Sequence, residues 1–337
     1  MWIYLLIVVI LILAELLYFK IADRFNIIDK PNQRSSHTRI TIRGGGLVFF
    51  LGALLYFFFF GWAYPWFILG LCLIALISFA DDIKPRSSIL RLMVHFVAMA
   101  LMFYQLGLFN LPWYVGIVAL IVSTGILNAY NFMDGINGIT GGYSLGVIAV
   151  LWYINYSRVA FVDDRLLLVL MLALLVFNFF NFRTKAKCFA GDVGALSIAF
   201  TIVFLLGRLM IQTGDLSYIV LLALYGVDTV LTIIHRLMLK ENIFKPHRKH
   251  LYQIMANELK IPHVLVATLY SCLQIILSMG LLLFDNTPYL YMGIVFGLLT
   301  LFYILFMRRY YPLHAATLKQ TELAGQASNL SEESSIN

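Results

Sequence analysis

An all-α, polytopic membrane fold is predicted by three observations. The 337-residue chain is 61% hydrophobic and only 12% charged. Its mean hydropathy is +0.88. Its apolar content falls into separate runs of about 17–25 residues, the length that crosses a ~30 Å hydrocarbon core as a helix. A soluble protein carries about 25% charged residues, so this composition excludes a soluble globular domain.

The expected spans are 2–22, 44–62, 65–80, 90–108, 112–129, 138–156, 165–182, 193–211, 217–234, 263–284 and 289–307, roughly eleven transmembrane helices. The first, Trp2 to Ala22, lacks a basic n-region and a small-residue cleavage site, so it is expected to stay as a transmembrane helix. The connections alternate in character. One set is short or nearly uncharged, such as Trp62 to Pro65 and Asn110 to Pro112. The other set, 20–43, 81–91, 183–187, 236–260 and 308–319, holds every Lys and Arg except Arg158, Arg165 and Arg208. The positive-inside rule then places the N-terminus outside and the basic loops and C-terminus in the cytoplasm. The net charge of +7 follows from this bias, and no nucleic-acid partner is expected. Residues 1–311 form one membrane domain, and 312–337 form a polar, Ser/Glu-rich tail expected to be disordered. Cys72, Cys188 and Cys272 lie far apart and are read as free thiols.

Aspartates mark the ends of three spans on the basic side. Asp81-Asp82 closes the third span, at a helix C-terminus where the dipole disfavours anions. Two carboxylates ~5 Å apart repel by about 3 kcal/mol at an effective dielectric near 20, a cost that a cation or a shared proton would relieve. A solvated pair held by Lys84, Arg86 and Arg91 is the alternative. Asn131-Phe132-Met133-Asp134-Gly135-Ile136-Asn137-Gly138 joins two spans. Its glycines permit tight turns, and its amide and carboxylate oxygens are the hard ligands that Mg²⁺ prefers. Phe189-Ala190-Gly191-Asp192-Val193-Gly194 opens the eighth span, where Asp192 could equally serve as a cap. Two basic segments could clamp phosphates at headgroup depth: Asp29 to Gly46, with Arg43, and Pro246-His247-Arg248-Lys249-His250. Basic cytoplasmic loops are expected on topology alone, so neither is diagnostic by itself. Glu15, His95, Arg208 and Asp228 lie within or near spans, and Asp228 is placed to pair with a basic residue of the 235–262 loop.

In their order, Pro-Asn-x-Arg-Ser-Ser-His to Arg-Gly-Gly-Gly, Asp-Asp, Asn-x-x-Asn-Phe-Met-Asp-Gly, Gly-Asp-Val-Gly and His-Arg-Lys-His, these motifs resemble the polyprenyl-phosphate N-acetylhexosamine-1-phosphate transferases over residues 29 to 253. The Arg-Ser-Ser-His form, with Arg91-Leu92 and His95 after Asp82, is most similar to the bacterial O-antigen-initiating branch of glycosyl transferase family 4. The resemblance implies catalytic roles for Asp81, Asp82 and Asp134, and metal coordination by Asn131 and Asp192. It implies substrate binding by Arg43, Arg91, Asn137, Phe189, His247, Arg248 and His250, with Asn137 and Phe189 at the uracil. The cofactor it implies is Mg²⁺, with Mn²⁺ as a substitute. The expected partners are undecaprenyl phosphate, a UDP-N-acetylhexosamine and the lipid bilayer, with a homodimer by analogy. The expected location is the bacterial inner membrane, with the active site facing the cytoplasm.

The chain departs from the pattern in places. Ile40 and Ile42 stand where this branch usually has prolines, Ala195 replaces a usual Ser, and the 181–192 segment is one residue longer than usual. Two other classes are weighed against this one. A transporter or flippase would place polar groups near the bilayer midplane, whereas these charges gather at one interface. A CDP-alcohol phosphatidyltransferase would carry a compact Asp- and Gly-rich signature that this sequence lacks.

Overall fold

The computed structural model describes residues 2–29, 31, 39–243 and 247–336, with side chains to residue 317. The expected Arg-Ser-Ser-His contacts at 34–37 and the segment 244–246 lie outside the described residues. The helices are α1 (Trp2–Arg24), α2 (Leu47–Phe59), α3 (Pro65–Ile83), α4 (Ser88–Leu106), α5 (Trp113–Met133), α6 (Ile139–Ser157), α7 (Asp164–Asn181), α8 (Gly191–Thr213), α9 (Ala223–Met238), α10 (Leu251–Asn257), α11 (His263–Leu283) and α12 (Pro288–Ile336). Short 3₁₀ turns precede α5 and α9. A single antiparallel pair, β1 (Ile28–Asp29) with β2 (Thr41–Ile42), is the strand pairing among the described residues.

Nine helical segments among the described residues are long and apolar enough to cross a membrane: α1, α3, α4, α5, α7, α8, Leu216–Met238, α11 and Pro288–Thr317. Two of the expected spans are absent from that set for physical reasons. The 44–62 span is shortened to α2, 13 residues, because Gly44 to Gly46 are taken up in a turn against the start of α8. The 138–156 span forms α6, whose Thr140, Gly141, Gly142, Ser144 and Asn155 dilute its apolar character. The polar stretch expected to be disordered after Pro312 continues as helix to Ile336. Its Ala, Leu, Lys, Gln and Glu residues have high intrinsic helix propensity, which favours a helical backbone.

α8 is the central helix, buried on nearly every face from Gly191 to Leu209, and it packs on α2, α3, α4 and α5. Phe67 of α3 stacks on Phe204 at 4.1 Å between centroids, and Tyr143 of α6 stacks on Tyr225 of α9 at 3.7 Å. The outer surface is apolar: Leu5, Leu13 and Leu17 of α1, Met93 and Val97 of α4, and Leu298, Leu301 and Leu305 of α12 are exposed. Such a belt is costly in water and favourable in lipid.

Charged side chains collect at the two ends of this bundle. α3 carries Asp81 and Asp82 at one end, and its start, Tyr64 and Pro65, lies at the other, about 28 Å away for 19 residues. The three basic residues outside the basic loops meet at that far end. Arg158 pairs with Asp285, Arg165 with Asp163, and Arg208 donates to the Phe161 carbonyl while lying over the Tyr64 ring.

Candidate active site

The site is built where two backbone segments, 43–46 and 189–194, touch. Gly45 N–H donates to Phe189 O at 2.8 Å, and Gly46 N–H to Ala190 O at 3.1 Å. The Tyr18 hydroxyl donates to Arg43 O at 2.6 Å, fixing the entry to the turn. A Cβ on Gly46 would stand 2.4 Å from Gly194 Cα, so the Arg-Gly-Gly-Gly and Gly-Asp-Val-Gly motifs are explained by one backbone crossing. Gly191 has φ +70°, a conformation L side chains rarely adopt, and a Cβ there would meet Asp82 Oδ2 at 2.7 Å.

Asp82, at the end of α3, caps α8 from outside: its carboxylate accepts from Asp192 N–H and Val193 N–H, both at 3.0 Å. A helix N-terminus favours an anion, and this placement relieves the unfavourable position of Asp82 at the C-terminus of its own helix. Arg43 bridges Asp82 (Nε to Oδ1, 2.6 Å) and Asp192 (Nη2 to Oδ1, 2.9 Å). Burial alone would lower the Arg43 guanidinium, yet Asp82 and then Asp192 hold it above its usual range. Arg91 of α4 bridges Asp81 at 2.8 Å and approaches Asp192 at 3.9 Å. Asp81 also accepts from Arg86 N–H at 2.6 Å, through the backbone of a residue expected to act through its side chain.

Asp134 follows α5 and accepts from the Thr140 hydroxyl at 2.7 Å. The residue keeps some exposed surface, but its carboxyl is packed among neighbours. This burial pushes it up to about 7, the Thr140 hydrogen bond opposes the rise, and Asp192 and Asp82 add to it. The structure therefore brings Asp81, Asp82, Asp134 and Asp192 together from three chain segments, around the two guanidiniums of Arg43 and Arg91.

Cavities flank the cluster. A basin of about 1000 Å³ is lined by Arg39, Asn137, Lys185, Lys187 and Phe189. Asn137 and Phe189 are each three residues from Asp134 and Asp192, so the basin opens beside the carboxylates. Asn137 Nδ2 donates to Arg183 O at 3.0 Å and Thr184 O at 3.2 Å, an assignment that leaves Oδ1 as its remaining polar atom. A second cavity of about 250 Å³ holds Asn131 and Asn128 beside Arg91 and His95. The third, about 700 Å³ and mostly apolar, lies between α5 and α9, from Ile121 to Arg236 and His247.

The His247–His250 segment faces the same region: the His247 and His250 rings lie 6.3 and 6.1 Å from Phe132, next to Asp134. Burial pushes the His247 imidazole down to about 3, with His250, Arg236 and Lys249 adding to the effect, so it is neutral at pH 7. Arg248 has a buried Nε without a partner among the described residues. Sequence reasoning missed Lys185 and Lys187 as basin residues. Their basic run was accounted for as topology, although its position two to four residues before Phe189 was a usable signal.

Among the described residues no three His, Cys, Asp or Glu side chains form a ready-made metal cage. The donors present are nonetheless hard oxygens at a helix N-terminus, with acids in excess of arginines. Mg²⁺ is typically held by one or two carboxylates together with substrate phosphates, so this donor set fits it.

Fold and site together define a polytopic helical membrane protein with a cluster of aspartates and arginines at one end of its bundle. The family model described as "Glycosyl transferase family 4" matches residues 64–210, which include every aspartate of the cluster. A probable undecaprenyl-phosphate N-acetylglucosaminyl 1-phosphate transferase of Bacillus subtilis (strain 168) is 27% identical over 254 residues, 69% of this chain and 70% of the relative. The undecaprenyl-phosphate alpha-N-acetylglucosaminyl 1-phosphate transferases of Yersinia pestis and Thermotoga maritima are 24% and 26% identical, covering 70% and 71% of this chain and 71% and 76% of theirs. The chain is thus similar to glycosyl transferase family 4 over residues 64–210, and to undecaprenyl-phosphate N-acetylglucosaminyl 1-phosphate transferases over about 70% of its length.

Proposed function

We propose that this protein transfers an N-acetylhexosamine 1-phosphate from a UDP-N-acetylhexosamine to undecaprenyl phosphate. The products are undecaprenyl-diphosphate-N-acetylhexosamine and UMP, and the step initiates O-antigen or a related envelope polysaccharide. The convergence of Asp81, Asp82, Asp134 and Asp192 around Arg43 and Arg91 carries the reading. The membrane domain, residues 1–311, works in the bacterial inner membrane with this end in the cytoplasm. The gathering of Arg158, Arg165 and Arg208 at the far end supports that orientation.

An oxygen of the lipid phosphate attacks the β-phosphorus of the nucleotide-sugar. The new P–O bond forms as the bond to the bridging α–β oxygen breaks, and UMP leaves with that oxygen. No proton need be removed from an already ionised phosphate, so positioning and charge stabilisation carry the catalysis. Asn131 and Asp192 would hold Mg²⁺, which, when bound, neutralises the diphosphate and the developing charge on UMP. Asp81 and Asp82 orient the acceptor phosphate and the arginines around it. Arg43 and Arg91 are shared among carboxylates and can turn toward phosphate oxygens. Phe189 stacks on the uracil, and Asn137 Oδ1 accepts from its N3–H. The apolar slot between α5 and α9 takes the first isoprene units. Burying them there avoids about 0.8 kcal/mol of exposure per CH₂.

Purified protein with Mg²⁺, undecaprenyl phosphate and a panel of UDP-N-acetylhexosamines should release UMP with at least one of them. No release across the panel would overturn the reading.

A further inference from the structure

Asp228 lies in α9, in a region the transfer chemistry does not touch, and it is fully enclosed. Its carboxylate is nonetheless crowded with donors. Oδ1 accepts from Leu251 N–H at 3.0 Å and the Thr232 hydroxyl at 3.2 Å, and it faces His250 Nδ1 at 3.3 Å. Oδ2 accepts from the Tyr270 hydroxyl at 2.8 Å and Tyr252 N–H at 3.4 Å. Gln253 N–H donates to His250 O at 3.0 Å and also caps the His250 side chain, so Nδ1 lies between that N–H and the Asp228 carboxylate. A proton on Nδ1 makes Nε2 the ring atom free for another partner. Nε2 is buried, with no partner among the described residues, on a ring that packs beside His247 and Phe132.

The same carboxylate aims the following residue. Tyr252, whose amide Asp228 holds, donates its hydroxyl to Phe132 O at 2.9 Å and packs its ring on Gly135, so the loop is clamped to the Asp134 turn. An isolated buried carboxylate is costly unless its hydrogen bonds are all made, and here each oxygen is spent on the segment that carries His250. An amide in its place would turn one acceptor into a donor against these N–H groups.

We infer that Asp228 is a positioning residue for the transfer reaction: it orients His250 so that Nε2 is presented to the nucleotide-sugar, and pins the 247–252 segment against the Asp134 turn. The inference rests on the proposed function.

The test is a double-mutant cycle on purified full-length protein, reading UMP release, the UDP-sugar KM and the thermal midpoint. Asp228→Asn and His250→Ala should each lower kcat/KM about ten- to a hundredfold, the range seen when a buried partner of a functional histidine is removed. In the His250→Ala background, Asp228→Asn should cost less than about twofold, because the group it orients is gone. Tyr270→Phe, which removes one hydrogen bond to Asp228 while keeping the ring that packs on Tyr252, should raise the UDP-sugar KM in the wild-type background only. Losses that multiply in the double mutant would mean that Asp228 supports the fold alone, and would overturn the inference while leaving the function standing. If the wild type itself releases no UMP from any UDP-N-acetylhexosamine, the functional reading fails and takes this inference with it. Should Asp228→Asn not fold, the Tyr270→Phe cycle decides by the same criterion.

Discussion

At the end of the bundle away from the site, each acid has its own partner: Asp163 has Arg165 and the Tyr56 hydroxyl, Asp164 has Asn155, and Asp285 has Arg158. At the site end, Asp81, Asp82 and Asp192 share Arg43 and Arg91, and Asp134 lies beside them with a single hydroxyl donor. The electrostatic outcome is opposite. Burial would raise Asp163, but hydrogen bonds from Arg165 and Tyr56 hold it below the usual range, and Arg158 does the same for Asp285. Burial instead pushes Asp134 up to about 7. The far end is neutralised internally. The site end keeps a deficit of positive charge that a divalent ion can fill, which sets it apart from the self-neutralised pairs of the far end.

The sharpest way to break this comparison is Asp192→Asn. It should lower Mg²⁺-dependent UMP release by at least about a hundredfold, as loss of a group acting on transition-state charge does, with the thermal midpoint retained. Activity within tenfold of wild type would remove its place at the metal. Next is Arg43→Ala, which leaves Asp82 and Asp192 without their bridge. It should cost turnover and about 2 kcal/mol of stability, less than a fully buried pair because Arg43 is partly exposed. Asn137→Ala should raise the UDP-sugar KM about tenfold with kcat little changed, the signature of lost uniform binding. An unchanged KM would show that Asn137 does not touch the base.

The comparison also predicts a pH dependence, measured as denaturant stability with divalent ions chelated. A carboxyl near 7 when folded and near 3.8 when unfolded binds more protons in the folded state between those values. Stability from this group is therefore full below about pH 4 and is lost as pH rises toward 7, and Asp134→Asn should flatten that slope. As the opposite-end control, Arg158→Ala should leave turnover at the wild-type level and barely move the thermal midpoint, because it is a solvent-exposed pair. A large loss of turnover there would erase the distinction between the two ends.

Local sequence determined the positions of most spans and which loops hold the charges, because hydropathy and charge act residue by residue against a fixed bilayer thickness. It also made Gly135 and Gly138 legible as sites of tight turns, since the absence of a side chain is a local property. It did not reveal that Gly44 to Gly46 leave their expected span to cross the Gly191–Gly194 backbone, that Arg43 bridges residues 82 and 192, or that α10 forms at all. Asp228 was visible as an acid near a basic loop. Only packing put it under His250, 22 residues away, with Tyr270 completing its shell. Such contacts join residues far apart in the chain, and no periodicity encodes them. They exist only once α3, α8 and α9 have been brought side by side.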